Sequence, residues 1–327
     1  MAHSDDQPGV SPVMSHSGRP HGPGFGIVDA HHHLWDLGRN PHPWLRDHPM
    51  IPFRYGDYSA LRRDYLPADY RRDTRGFEVA ATVYVEAEWD PKFPLDETRW
   101  VHAIAAIHSL PDAMVAQAWL DREDVADVLA AQAAFPLVRS VRHKPRAAAS
   151  PGQAVRGRPG SMDCPRWRDG FTLLGRHGLC FDLQTPWWHF DAAAELAGDF
   201  PDTTIVVNHT GLPADRSLEG LAGWRAAMAL LARQPNVRVK ISGLGLRDQA
   251  WTVEANGPVV RDAIAIFGVE RAMFASNFPV DSLVASFDRI FDGFARITGD
   301  LDEAVRRRLF RDNAAETYRI DLSRKEA

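Results

Sequence analysis

The residues whose types and spacing could do chemistry begin at Asp29-Ala30-His31-His32-His33, reached through the apolar run Gly26-Ile27-Val28. In an extended strand alternate side chains share a face. Asp29, His31 and His33 are therefore expected on one side and His32 on the other. Two imidazoles at this spacing can grip a divalent metal, zinc included, or can polarise and hydrogen-bond a substrate. A pair of satisfied polar residues is the plain alternative, and the rest of the chain has to decide.

The elements that must position these side chains follow a rhythm. Short apolar runs, rich in β-branched residues, occur at 79–88, 114–120, 137–144, 179–184, 204–210, 237–244 and 272–277. Helical spacing occupies 96–110, 121–135, 164–177, 191–198, 219–234, 257–267, 283–298 and 302–315. Counting the first strand, eight buried strands alternate with helices, which implies a parallel sheet and, at eight units, a single (β/α)8 TIM barrel of the α/β class. An open doubly wound sheet is the runner-up, but no glycine-rich phosphate turn follows the first strand. The barrel is expected over residues 26–320. Residues 1–25, rich in Gly, Pro, Ser and His, read as a mobile arm, and 321–327 as a tail. The 34–77 insertion after the first strand, with Arg54-Tyr55-Gly56-Asp57-Tyr58 at its middle, is long enough to read as a lid.

Chemistry in such barrels sits at the C-terminal strand ends and the loops after them. Those ends carry His31 and His33, Glu86 and Glu88, Trp119 and Asp121, and Arg142, His143 and Lys144. Asp182 and Gln184, Asn208 and His209, Lys240 and Ser242, and Asn277 with Asp281 beyond it continue the rim. Polar groups gathered from separate strands at one rim favour an active site over core packing. Trp35, Trp89, Trp119, Trp187 and Trp188 fall at or just after strand ends, so the same face would carry an aromatic wall suited to sugar-like or planar rings.

Composition narrows the partners. The 327 residues are 45% hydrophobic and 25% charged, and the net charge of -5 argues against nucleic acid or an anionic membrane as the main partner. Two cysteines, Cys164 and Cys180, make neither a disulfide framework nor a four-ligand zinc site, so a reducing cytoplasm is expected. No apolar run reaches the length of a membrane span, and the opening residues, with no basic region before an apolar one, are not expected to act as a secretory signal. A small-molecule substrate is the expected partner, and homo-oligomerisation stays open.

Taken in order, Asp29-Ala30-His31-His32-His33-Leu34-Trp35, Val141-Arg142-His143, Phe181-Asp182-Leu183-Gln184, Asn208-His209-Thr210-Gly211, Lys240-Ile241-Ser242-Gly243-Leu244 and Ser276-Asn277-Phe278-Pro279-Val280-Asp281 resemble the amidohydrolase superfamily. The likeness is to the branch with pyrone-dicarboxylate lactonase and sugar lactonases. The resemblance implies a catalytic His-x-His pair at His31 and His33, a later-strand histidine at His209, and Arg142 holding a substrate carboxylate or carbonyl. His143, Gln184, Trp35 and Trp187 are expected to join Arg142 around the substrate. It also implies an acidic residue ending the eighth strand to activate water, where this chain has Asn277. An amide has no basic site near neutral pH, so the base must have moved if hydrolysis is the reaction. Glu86, Glu88 and Asp281 are the carboxylates within reach. His31, His33 and His209 would be the metal ligands if an ion is bound; without an anionic fourth ligand, a tightly held one is not expected. The expected function is opening of a cyclic ester, with a metal-dependent decarboxylase or a catalytically silent binding barrel as alternatives.

Overall fold

A computed structural model describes residues 22–324. The arm expected over 1–25 lies almost wholly outside the described residues, as does the end of the tail. Eight parallel strands form one sheet in sequential order: β1 Ile27–His32, β2 Val79–Val85, β3 Ala113–Gln117, β4 Val138–Arg142, β5 Cys180–Leu183, β6 Ile205–Val207, β7 Val237–Ile241 and β8 Ala272–Phe274. Helices stand between successive strands from β2 onward, among them Asp96–His108, Pro165–Arg176, Leu218–Ala232 and Val253–Phe267. The ring returns to β1 just past the end of β8. There the Asn277 amide donates to the His31 carbonyl at 2.8 Å, and the His33 amide to the Phe278 carbonyl at 2.7 Å. This is the (β/α)8 architecture that the alternation predicts. Among the described residues no helix is long and apolar enough to cross a membrane.

The barrel interior is packed mainly with small side chains. Val28, Ala30, Ala81, Val83, Val115, Val206 and Met273 meet across it, while Trp167, Phe171, Trp224 and Phe291 fill the layer between sheet and helices. Asp182 and Lys240, expected at the rim, instead form a fully buried ion pair inside the barrel at 2.6 Å. Ser140, Asn208 and Tyr318 also donate to Asp182. A buried charge pair is tolerated where further hydrogen bonds satisfy its remaining valences, as here.

Most strands stop earlier than their apolar runs. Glu88, His209 and Asn277 adopt φ of 57°, 54° and 58°, a left-handed conformation that ends extended pairing. Polar residues read as strand ends thus sit on the first turns beyond them.

The first strand departs from simple alternation. Its register against β2 slips between Asp29 and His32. This bulge places Asp29 and His32 together on the outer face, where both meet Tyr70 of the helix Pro67–Asp73. Tyr70 Oη donates to Asp29 Oδ2 at 2.9 Å, and the His32 ring lies 4.5 Å from the Tyr70 ring. The expectation that Asp29 shares a face with His31 and His33 is therefore corrected: an extra residue in a strand shifts the alternation by one.

The 34–77 insertion buries Trp35, Leu45, Tyr58, Leu61, Tyr65 and Tyr70 in the same hydrophobic core as the layer between sheet and helices. Backbone bonds in both directions between Trp35 and Tyr65, each at 2.9 Å, pin its two ends together.

Candidate active site

His31, His33 and His209 are brought together from β1 and the turn after β6. The His31 ring lies 4.9 Å from that of His33 and 4.7 Å from that of His209, centroid to centroid. His33 Nδ1 lies 2.8 Å from the Val85 carbonyl oxygen. A carbonyl only accepts, so this nitrogen carries the proton and the neutral ring has its lone pair on Nε2. That nitrogen lies 3.2 Å from His31 Nε2, so His31 donates to His33. His31 Nδ1 is then left buried without a partner. His209 Nδ1 meets Ser242 Oγ at 2.9 Å. Burial holds all three imidazoles below the ordinary histidine value, His33 at about 3, and the nearby cations Arg142, Lys240 and Arg54 act in the same direction. The three are neutral at neutral pH.

Gly243 makes room for His209. A Cβ built at Gly243 would lie 2.7 Å from His209 Nδ1, and the residue has φ of 61°. His209, Thr210, Gly211 and Leu212 form an unbroken run of positive φ, so the turn that presents the histidine is strained along its length.

Arg142, the last residue of β4, is nearly fully buried. Its Nε donates to Glu86 Oε1 at 2.5 Å, Nη2 to the Glu86 carbonyl at 2.5 Å and Nη1 to Gln184 Oε1 at 2.9 Å. Burial alone would raise the Glu86 carboxyl, but the Arg142 charge and hydrogen bond more than offset it and hold the group below the carboxylate norm. Glu86 Oε2 also accepts from the Glu88 amide at 2.8 Å. Glu88 is half-buried and pairs with the exposed Lys144. Glu97, which the sequence did not single out, accepts from Tyr84 Oη and the Ala87 amide at 2.8 and 2.7 Å, fixing the backbone between the two glutamates. Burial pushes its carboxyl up to about 8.

Asn277 Nδ2 donates to Asp281 Oδ1 at 2.6 Å, and Tyr55 Oη donates to the same oxygen at 2.9 Å. Burial raises the Asp281 carboxyl, and the ion pair with Arg54 at 3.5 Å offsets this in part.

His33, His209, Arg142, Gln184, Glu88 and Asn277 line a cavity of about 330 Å³, closed on the insertion side by Trp44, Ile51, Phe53 and Arg54. His143 is elsewhere: it stacks on Trp119 and faces a neighbouring cavity. Trp35 is buried, with its ring 6.5 Å from that of His33 and its Nε1 donating to the Arg63 carbonyl at 2.7 Å, so it braces His33. Trp187 packs against Gly223 of the helix Leu218–Ala232 and lines neither cavity. Arg54 and Trp44 were not anticipated as site residues, because the insertion that carries them has no periodicity to orient a side chain.

The superfamily often uses a divalent metal, and the donor set here meets its requirements only in part. The 3.2 Å between His31 Nε2 and His33 Nε2 resembles the roughly 3.3 Å between two nitrogens bound about 2.0–2.1 Å from one tetrahedral zinc ion. A catalytic zinc needs three protein ligands, however, and among the described residues no group of three His, Cys, Asp or Glu side chains is arranged to hold a metal. The residues do not fit a complete site.

Residues 28–320 match the amidohydrolase family model, and the chain belongs to the amidohydrolase family. It is 41% identical over 294 residues to protein y4mH of Sinorhizobium fredii, covering 90% of this chain and 98% of that protein. It is 28% identical over 303 residues to the L-fucono-1,5-lactonase of Burkholderia ambifaria, covering 90% and 96%. A crystal structure of a Burkholderia multivorans amidohydrolase with bound zinc superposes with a TM-score of 0.74 at 24% identity, over 91% of this chain and all of that one. At that identity the superposition speaks for the fold.

Proposed function

We propose that this protein is a hydrolase that opens a cyclic ester, a lactone bearing a carboxylate or sugar hydroxyls. The observation that carries the reading is the pair of neutral histidines, His33 and His209, facing one small cavity beside Arg142, with His31 buried behind them. The similarity to L-fucono-1,5-lactonases supports it. When Ser242 Oγ–H donates to His209 Nδ1, His209 presents Nε2–H to the lactone carbonyl. It then stabilises the oxyanion as the tetrahedral intermediate forms, and the Arg142 and Lys144 charges add to that field. Arg142 has N–H groups beyond those held by Glu86 and Gln184, and these orient the substrate by charge-assisted bonds. Asn277 turns its Nδ2 toward Asp281, which leaves Oδ1 to accept from the attacking water and aim it. Glu88 takes the water proton. The ring C–O bond then breaks, and the same proton returns to the leaving alkoxide to give the hydroxy acid. Glu86 is the poorer base, because Arg142 and the Glu88 amide each occupy one of its carboxylate oxygens and the Arg142 charge lowers its basicity. No step runs through a metal. The insertion acts as a lid, its Trp44, Ile51 and Arg54 excluding bulk water.

The test is acid release from a panel of aldonolactones by wild type, Glu86→Gln, Glu88→Gln and Asp281→Asn. Glu88→Gln should lose kcat by about a hundredfold or more, the low end of general-base contributions. Near wild-type turnover by both glutamine variants, with a hundredfold loss in Asp281→Asn, would move the base to the eighth strand. A second reading, carbon–carbon cleavage of an aromatic acid, is favoured by Asn277 itself, since decarboxylation needs no water-activating base. Carbon dioxide release from hydroxybenzoates without lactone turnover would establish it.

A further inference from the structure

Beside the histidine-lined cavity lies a larger one of about 590 Å³, and the two share Trp44, Ile51, Glu88, Arg142 and Lys144 as a common wall. Trp44, Trp89 and Trp119 line the larger cavity, with Gln117, Asp121 and Arg146 supplying polar groups around them. Trp119 is 42% exposed, although it follows a fully buried strand. Its ring lies flat on His143, with centroids 5.6 Å and planes 6° apart. His143 is itself fixed: its Nδ1 accepts from the Leu120 amide and from the Trp167 indole, both at 3.0 Å. An indole left in water forgoes its burial energy, and a rigid backing ring keeps it flat. That is the form of a stacking platform.

We propose that this cavity is a subsite for a pyranosyl ring attached to the lactone, so that the substrate class is a glycosylated aldonolactone. The lactone ring would occupy the space at His33 and His209, and the second sugar ring the space among the indoles. The assignment of the first ring rests on the lactonase reading above. Pyranosyl rings offer apolar C–H faces that stack on indoles, together with a girdle of hydroxyls that need polar partners. The wall supplies both: three indoles for the faces, and Gln117, Asp121 and Arg146 for the hydroxyls. An unsubstituted aryl group would use the indoles and leave Asp121 and Arg146 without a ligand partner, whereas Gln117 already donates its Nε2 to the Trp89 carbonyl at 2.9 Å. The shared residues set the two spaces side by side, as a substrate with two linked rings requires.

The experiment compares gluconolactone with its galactosylated form, lactobionolactone, as substrates. It also compares gluconate with lactobionate as ligands by calorimetry, which needs no turnover. Both are run on wild type, Trp119→Ala and Asp121→Ala. The expected result is tighter binding of lactobionate than of gluconate. Each substitution should lower kcat/KM for the two-ring lactone by about tenfold, for Trp119→Ala through the lost aromatic platform and for Asp121→Ala through the lost hydrogen bond, and leave the one-ring lactone unchanged. Equal effects on both lactones, or lactobionate binding no tighter than gluconate, would overturn the subsite while leaving the hydrolase reading intact. Lactobionate binding that depends on Trp119, with no lactone turned over, would sustain the subsite and remove the hydrolase reading. A phenyl ligand bound as tightly as lactobionate, and unaffected by Asp121→Ala, would overturn the pyranosyl assignment.

Discussion

Asn277 Nδ2 donates to Asp281 Oδ1 at 2.6 Å, so the amide standing at the end of the eighth strand is bound to a buried carboxylate four residues on. Replacing Asn277 with Asp would set two carboxylates at hydrogen-bond distance in a site where burial already raises Asp281. Like charges this close share a proton, which lifts the pair's native pKa above its unfolded value. The associated stability is full below the unfolded pKa and lost as pH rises through the native one. Asn277→Asp is therefore expected to cost about 1–3 kcal/mol, with the melting temperature falling further at pH 8 than at pH 5. An equal loss at both pH values would contradict the shared-proton account.

The buried histidines give a second pH signature. His33 is depressed to about 3, and His31 and His209 lie well below the ordinary 6.5. As pH falls from 6.5 towards 3 the unfolded chain takes up protons that the native rings refuse, so stability is lost over that window. Melting temperature against pH should decline steeply below 6.5, while kcat/KM should show no inflection near 6.5 from these rings. An acid limb centred there and abolished by His33→Asn would mean that a protonatable, solvent-reached imidazole does the chemistry.

Gly243→Ala tests how closely His209 is held. The added methyl would press on His209 Nδ1 at 2.7 Å in a left-handed backbone position. A misplacement on the ångström scale can cost about a hundredfold in rate, so kcat should fall by that order while the protein stays folded, its stability lowered by about 1 kcal/mol. Retained activity would show that the turn yields freely.

Dialysis against a chelator is expected to leave hydrolysis unchanged, and added zinc is expected not to raise it, because the described donors do not make a three-ligand site. A chelator-sensitive rate restored by zinc would show that a ligand reaches the ion by rearrangement.

The barrel was legible because alternation of apolar strands with helices constrains the fold through many residues at once. The histidine set and Arg142 were legible because each closes a strand or follows one directly. What escaped depends on local geometry that no pattern encodes. The bulge in β1 turns Asp29 outward to Tyr70, and nothing in Ile27–His32 marks where the extra residue falls. His143 stands one residue past β4 and Trp187 four past β5, where turns rather than strand parity decide direction. Arg54 comes from an aperiodic insertion, and its approach to Asp281 depends on how that insertion folds back.

The contact between Tyr318 and Asp182 has a consequence for synthesis. Tyr318 Oη donates to both oxygens of Asp182 at 3.0 Å, 136 residues earlier in the chain, and Arg319 donates to the Gly178 carbonyl just before β5. The end of the barrel opposite the mouth is thus stoppered by residues that follow all eight strands in the chain. A nascent chain that has already made all eight strands still has Asp182 and Lys240 open to water from below. The interior that supports His31 and Arg142 can settle only once Tyr318 has emerged from the exit tunnel.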